Sequence, residues 1–208
     1  MGRRFAALPK LIGLSAAAWF AAWACAPPTA LAPPVPMAAD QHREVGGTAS
    51  GSALMHYRWD HGQRSLMVDG GAGVNLWAMW NVKQFDLGGT LGAEFVSPDL
   101  AGHAGVFARY RVMERENLVI APQLGFGWSY ASLALPVAVQ ARDDLWLYTA
   151  PELGFRLAGP VQVPVGVSVG LREDLLLNAE VGVIPGLSGL GYLDGTTVYG
   201  GVGLSARR

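Results

Sequence analysis

The chain has 208 residues, room for one domain and an export segment but not for two full domains. Apolar residues make up 51% and charged ones 15%, against about 25% charged in an ordinary soluble domain, so the chain is short of the charge that covers a water-facing surface. A formal net charge of −1 leaves no basic excess for nucleic acid. After the N-terminus no window holds the ~18 uninterrupted apolar residues of a spanning helix, so any contact with lipid has to come from strands.

Arg3, Arg4 and Lys10 precede an apolar run from Leu11 to Ala24, the n-region and h-region order of a secretory signal, so residues 1–24 are expected to be a signal peptide. Ala22-Trp23-Ala24 stands before Cys25, the single cysteine, and resembles a bacterial lipoprotein signal in which Cys25 takes the lipid. A cut after Ala30-Leu31-Ala32 is the other reading, and it discards the thiol. Either outcome explains Cys25 better than retention, because a lone thiol in an oxidising compartment has no disulfide partner.

Residues 25–51 carry Pro27, Pro28, Pro33, Pro34 and Pro36, then Gly46, Gly47 and Gly51. Such a run reads as an exposed tether that holds neither a helix nor a central strand.

From residue 52 to 208 the dominant signal is period-two alternation. In 84–95, Phe85, Leu87, Gly89, Leu91, Ala93 and Phe95 share one face, while Asp86, Gly88, Thr90, Gly92 and Glu94 share the other. In 103–112, Val106, Ala108, Tyr110 and Val112 oppose His103, Gly105, Phe107, Arg109 and Arg111. In 119–130, Leu124, Phe126, Trp128 and Tyr130 oppose Gln123, Gly125, Gly127 and Ser129. Five valines and Leu171 alternate with Gln162, Gly166, Ser168 and Gly170 over 161–171, and Val198, Val202 and Leu204 alternate with Tyr199, Gly201, Gly203 and Ser205 near the end.

Turn signals at Asp60-His61-Gly62, Ser97-Pro98-Asp99, 114–117, Gly159-Pro160 and 172–174 separate these runs. The fold expected is all-β: a closed antiparallel up-and-down barrel of about eight strands, within a range of eight to ten. Phe85 and Phe95 are ten residues apart, about 33 Å at ~3.3 Å per residue. A tilt of about 40° projects this to roughly 25 Å, the height of a lipid-facing apolar band. Phe85, Phe95, Tyr110, Phe126 and Trp128 are therefore expected to face lipid. Asp86, Glu94, Arg109, Arg111, Glu152, Arg156, Arg172 and Glu180 are expected to form a polar network in the lumen, where opposite charges can pair and small residues relieve crowding.

On these residues, the segment 52–206 resembles the small outer-membrane β-barrel proteins of Gram-negative bacteria. The resemblance implies a structural, adhesion or narrow-pore role in the envelope, with membrane lipid as the surrounding partner and a monomeric barrel. Two alternatives stay open: a soluble β-sandwich or lipocalin-like lipoprotein binding a small apolar ligand, and a lipid-modifying hydrolase using His56 or His103 with Ser129 or Ser132.

No motif ties those hydrolase residues together, so no enzyme is expected. The four histidines show no metal-ligand spacing, and Gly70-Gly71-Ala72-Gly73 lacks the Lys-Ser/Thr ending of a phosphate loop, so neither metal nor cofactor is expected. The apolar stretch 186–195, with Leu187, Leu190, Tyr192 and Leu193, reads as a binding tip or a packed cap.

Overall fold

The computed structural model describes residues 35, 37, 41–60, 63–96, 99–127, 130–154, 161–185 and 195–208. All described secondary structure is strand: β1 (Arg43–Asp60), β2 (Gln63–Val82), β3 (Phe85–Val96), β4 (Asp99–Tyr110), β5 (Met113–Arg115), β6 (Leu118–Ile120) and β7 (Gln123–Gly127). Then follow β8 (Tyr130–Ala134), β9 (Val137–Arg142), β10 (Leu145–Thr149), β11 (Glu152–Gly154), β12 (Val161–Arg172), β13 (Leu175–Ile184) and β14 (Gly195–Arg207). Every pairing is antiparallel, and β1 pairs with both β2 and β14, which closes the sheet into a barrel. Closure satisfies the two sheet edges that an open arrangement would leave.

Four successive pairs, β4 with β5, β6 with β7, β8 with β9 and β10 with β11, are each one stave with a break. Three breaks fall at Ala121-Pro122, Leu135-Pro136 and Ala150-Pro151, where proline has no N–H to give the ladder. The hydrogen bonds from Tyr110 N to the Pro122 carbonyl, Ala121 N to Pro136 and Leu135 N to Pro151 carry the wall across each break. The barrel thus has ten staves, above the central expectation of eight, because prolines masked the alternation of the staves that they interrupt.

Strand β1 begins at Arg43, inside the segment read as tether. Its glycines do not loosen it. Gly46 lies opposite Trp77, and a Cβ on Gly46 would collide with the Trp77 ring. The same arrangement recurs at Gly182, opposite Tyr199, and at Gly166, opposite Tyr148. In each case a lumen aromatic lies over the bare backbone of the neighbouring stave, so glycine is required by close approach.

The end that carries the last strand's terminus has two-residue turns at 83–84, 116–117, 143–144 and 173–174. Lys83 takes a positive φ of 60°, as tight hairpin turns demand of a non-glycine residue. This end is called the terminal mouth below.

The wall sorts its two faces. Val181, Val106 and Leu91 are about 60% exposed on the outside, whereas Glu44, Asn75, Ser168, Asn178 and Ser205 are buried inside. Exposed apolar side chains outside and buried polar ones inside reverse the order of a soluble sandwich or a lipocalin-like barrel, so that alternative is corrected. Among the described residues no helix is long and apolar enough to cross a membrane.

Candidate functional site: the barrel lumen

Alternation on the staves decides which residues reach the lumen, and the register decides which of them meet. Asp86, on β3, faces Arg109, on β4, and both are buried. Arg111 lies in the break after β4, 3.5 Å from Asp86, 3.0 Å from Glu114, and donates to the Lys83 carbonyl at 2.7 Å. Arg109 donates through Nε and a terminal nitrogen to Gln123 Oε1 at 3.1 and 2.9 Å. The guanidinium also lies 5.5 Å from the Phe107 ring, within cation–π range.

A third buried cation, Arg207, closes this end of the lumen. Its Nε donates to Glu44 at 2.9 Å, and another nitrogen donates to the Val35 carbonyl at 3.0 Å. Val35 and Met37 are buried at the mouth, and Met37 packs with Trp77, Met79 and Phe107. Gln41 ties the same leading segment to the carbonyl of Glu173 at 2.9 Å. Val35 and Met37 therefore sit in the terminal mouth as a stopper. A cavity of about 640 Å³ remains beside it, with Trp146, Arg172 and Glu173 on its wall.

Elsewhere in the lumen the described network includes carboxylates, phenols, amides and hydroxyls. Gln162 donates to the Tyr199 hydroxyl at 2.6 Å, and Tyr199 reaches Glu180 at 3.4 Å. Ser168 donates to Asn178 at 2.5 Å, and Asn178 passes the chain on to Ser205 at 3.3 Å. Each buried polar group so paired avoids the cost of desolvation without a partner.

Of the residues expected in the lumen, Asp86, Glu94, Arg109, Arg111, Glu152 and Glu180 are buried in it. Arg172 is a correction: it ends β12 after a register shift at Gly170 and is exposed on the wall of the mouth cavity instead of being buried in the lumen. Arg156 lies outside the described residues. Phe85, Phe95, Tyr110 and Phe126 are exposed on the outer wall, and Phe85 and Tyr110 pack ring to ring at 4.8 Å. Trp128, Cys25 and residues 186–194 of the apolar stretch lie outside the described residues.

Sequence reasoning missed Glu44 and Arg207. Both sit two residues or fewer from a strand end, one in the presumed tether, and only the β1–β14 register brings them together. Of the hydrolase candidates, His56 lies 3.6 Å from Asp69 and His103 bonds Asn75 at 3.1 Å, and neither pairing includes a serine. Ser132 is buried in the lumen, and Ser129 lies outside the described residues. Among the described residues no group of three or more His, Cys, Asp or Glu is placed to hold a metal.

No protein-family model and no curated protein matches the sequence. Solved structures do match. An outer-membrane channel from Pseudomonas putida F1 aligns with a TM-score of 0.53 at 7% identity, over 86% of this chain and 100% of that one. The translocator domain of the autotransporter NalP from Neisseria meningitidis gives 0.48 at 11%, over 98% and 97%. The NanC porin gives 0.44 at 11%, over 80% and 100%. The fold of this chain is that of the outer-membrane β-barrels.

Proposed function

We propose that the chain is an integral outer-membrane barrel acting as a narrow pore that is closed at rest, surrounded by lipid as a monomer and without a catalytic role. The observation that carries this reading is the sorting of the wall, with Leu91, Val106 and Val181 outside and a bonded polar network inside. Hydrocarbon is the solvent in which such an outside is stable, and a closed barrel is the only sheet that leaves no unpaired edge there. The stopper of Val35 and Met37, together with the Glu44–Arg207 pair behind it, supports closure, so the resting lumen passes at most water or small ions.

Export belongs to the same reading: residues 1–24 leave as a signal peptide, and Cys25 is either lipidated or removed. Mass spectrometry of the mature N-terminus decides between these two fates. The membrane assignment is tested by carbonate and urea extraction of envelopes and by gel mobility of unheated samples. Retention in the pellet and a mobility shift on heating are expected, and release by carbonate overturns the assignment. Closure is tested in planar bilayers, where the wild-type chain should show little current and Met37→Glu distinctly more.

A further inference from the structure

The three proline breaks fall on adjacent staves, and each removes the same kind of bond. In an antiparallel pair two facing residues exchange two hydrogen bonds. Tyr110 donates to Pro122, Ala121 to Pro136 and Leu135 to Pro151. None of the three prolines can return the bond, since none has an N–H. Three neighbouring seams therefore hold with half their normal pairing along one line through the wall.

Two further observations fall on that line. Pro122 and Pro151 point outward on the staves flanking β8, and their short rings stand between the longer side chains of Leu133, Leu135 and Leu153. The result is a groove of about 410 Å³ in the outer wall, with the cross-strand pair Ala134 and Glu152 at its floor. Behind the seam, toward the terminal mouth, the inward residues are small and apolar, with Val119, Ala121, Pro136, Ala138 and Ala150 all buried, while Gln123, Ser132 and Glu152 are buried on its other flank. Around the seam the wall is thus apolar outside, backed by small side chains toward the terminal mouth, and short of one ladder bond at each step.

We propose that this seam is a hydrocarbon-binding site occupied by one acyl chain of a surrounding membrane lipid. The proposal rests on the membrane reading above. The groove lies in the middle of staves whose outer residues face hydrocarbon, and its volume falls in the range of small-molecule sites. Its lining offers an inserted chain dispersion contacts on several sides, where the rest of the wall offers one. A lipid held this way exchanges more slowly than its neighbours.

Native mass spectrometry of the mature chain, refolded in nonionic micelles with added phospholipid or with added hexadecane, tests this. Wild-type protein should keep one phospholipid adduct on release from the micelle. Leu135→Trp, which fills the groove from the outside, should lower that adduct at least fivefold. Leu91→Trp, at similar depth on a wall without proline, should leave it unchanged. Heat-dependent gel mobility of each variant shows that it has folded, and carbonate extraction tests the membrane reading separately. Equal loss in the two variants, no adduct on folded wild type, or retention of hexadecane but not phospholipid would each overturn the proposal.

Discussion

The two sides of the barrel are built differently. On one side β1 and β2 run for 18 and 20 residues without a break and pair along almost their whole length. Aromatic rings lie over glycines of the adjacent stave on β1 to β4 and again on β10 to β14, locking neighbours together across the lumen face. On the other side, from β6 to β11, the staves are cut at prolines into segments of three to six residues. Identical topology thus supports two kinds of wall: one held by full ladders and interlocked side chains, the other held by fewer bonds and open to its surroundings. Stability should concentrate in the first kind.

The largest expected effect is at the closure strand. Arg207→Ala leaves Glu44 buried without its cation, a change that typically costs about 3–5 kcal/mol. The urea midpoint should fall sharply, and a variant as stable as wild type would show that the pair contributes nothing to closure. Next comes the lipid face: Leu91→Arg at mid-wall should cost roughly 2–4 kcal/mol in vesicles, the usual figure for a cation near the bilayer midplane. No loss in vesicles would mean that Leu91 meets water. Gly182→Val is expected to cost roughly 1–3 kcal/mol by overpacking, because the new side chain collides with the Tyr199 ring. Because Tyr199→Leu also breaks the bonds to Gln162 and Glu180, the double variant should be about as stable as Tyr199→Leu alone, and a further loss on adding Gly182→Val would place the strain in the backbone instead.

The division between these walls was only half visible beforehand. Alternation fixes which face a residue occupies, so Phe85, Leu91, Asp86 and Arg109 could be sorted by reading every second letter. What alternation does not encode is register. Glu44 and Arg207 are 163 positions apart and meet only because the last strand returns to the first. Glycine misled in the other direction. Gly46 reads as a tether residue by composition, yet its bare backbone is what Trp77 requires. Prolines concealed staves for a related reason: they break the regular pattern without ending the strand, since the carbonyl of each still accepts a bond from its neighbour. Arg172 faced the lumen by parity alone, and the register shift between Gly170 and Arg172 at the turn leaves it exposed at the rim of the mouth cavity.

The smallest effect, and the sharpest test of the weaker wall, is Pro151→Ala. Alanine supplies the missing N–H toward the Leu135 carbonyl, a bond that contributes about 0.5–1.5 kcal/mol. Against it stands the extra freedom of the unfolded chain once proline is gone, about 0.4–1 kcal/mol. These terms nearly cancel, so the unfolding midpoint should barely move. Local behaviour should change all the same. The new amide at position 151 should exchange slowly with solvent deuterium, and the Leu135 amide, which bonds the same residue, should slow with it. A drop in stability beyond about 1 kcal/mol would show that the proline ring braces the wall by packing, an effect well outside the balance of these two terms. A near-unchanged midpoint with slower exchange would show that the seam is weak for want of a single donor at each step, and that the wall remains whole around it.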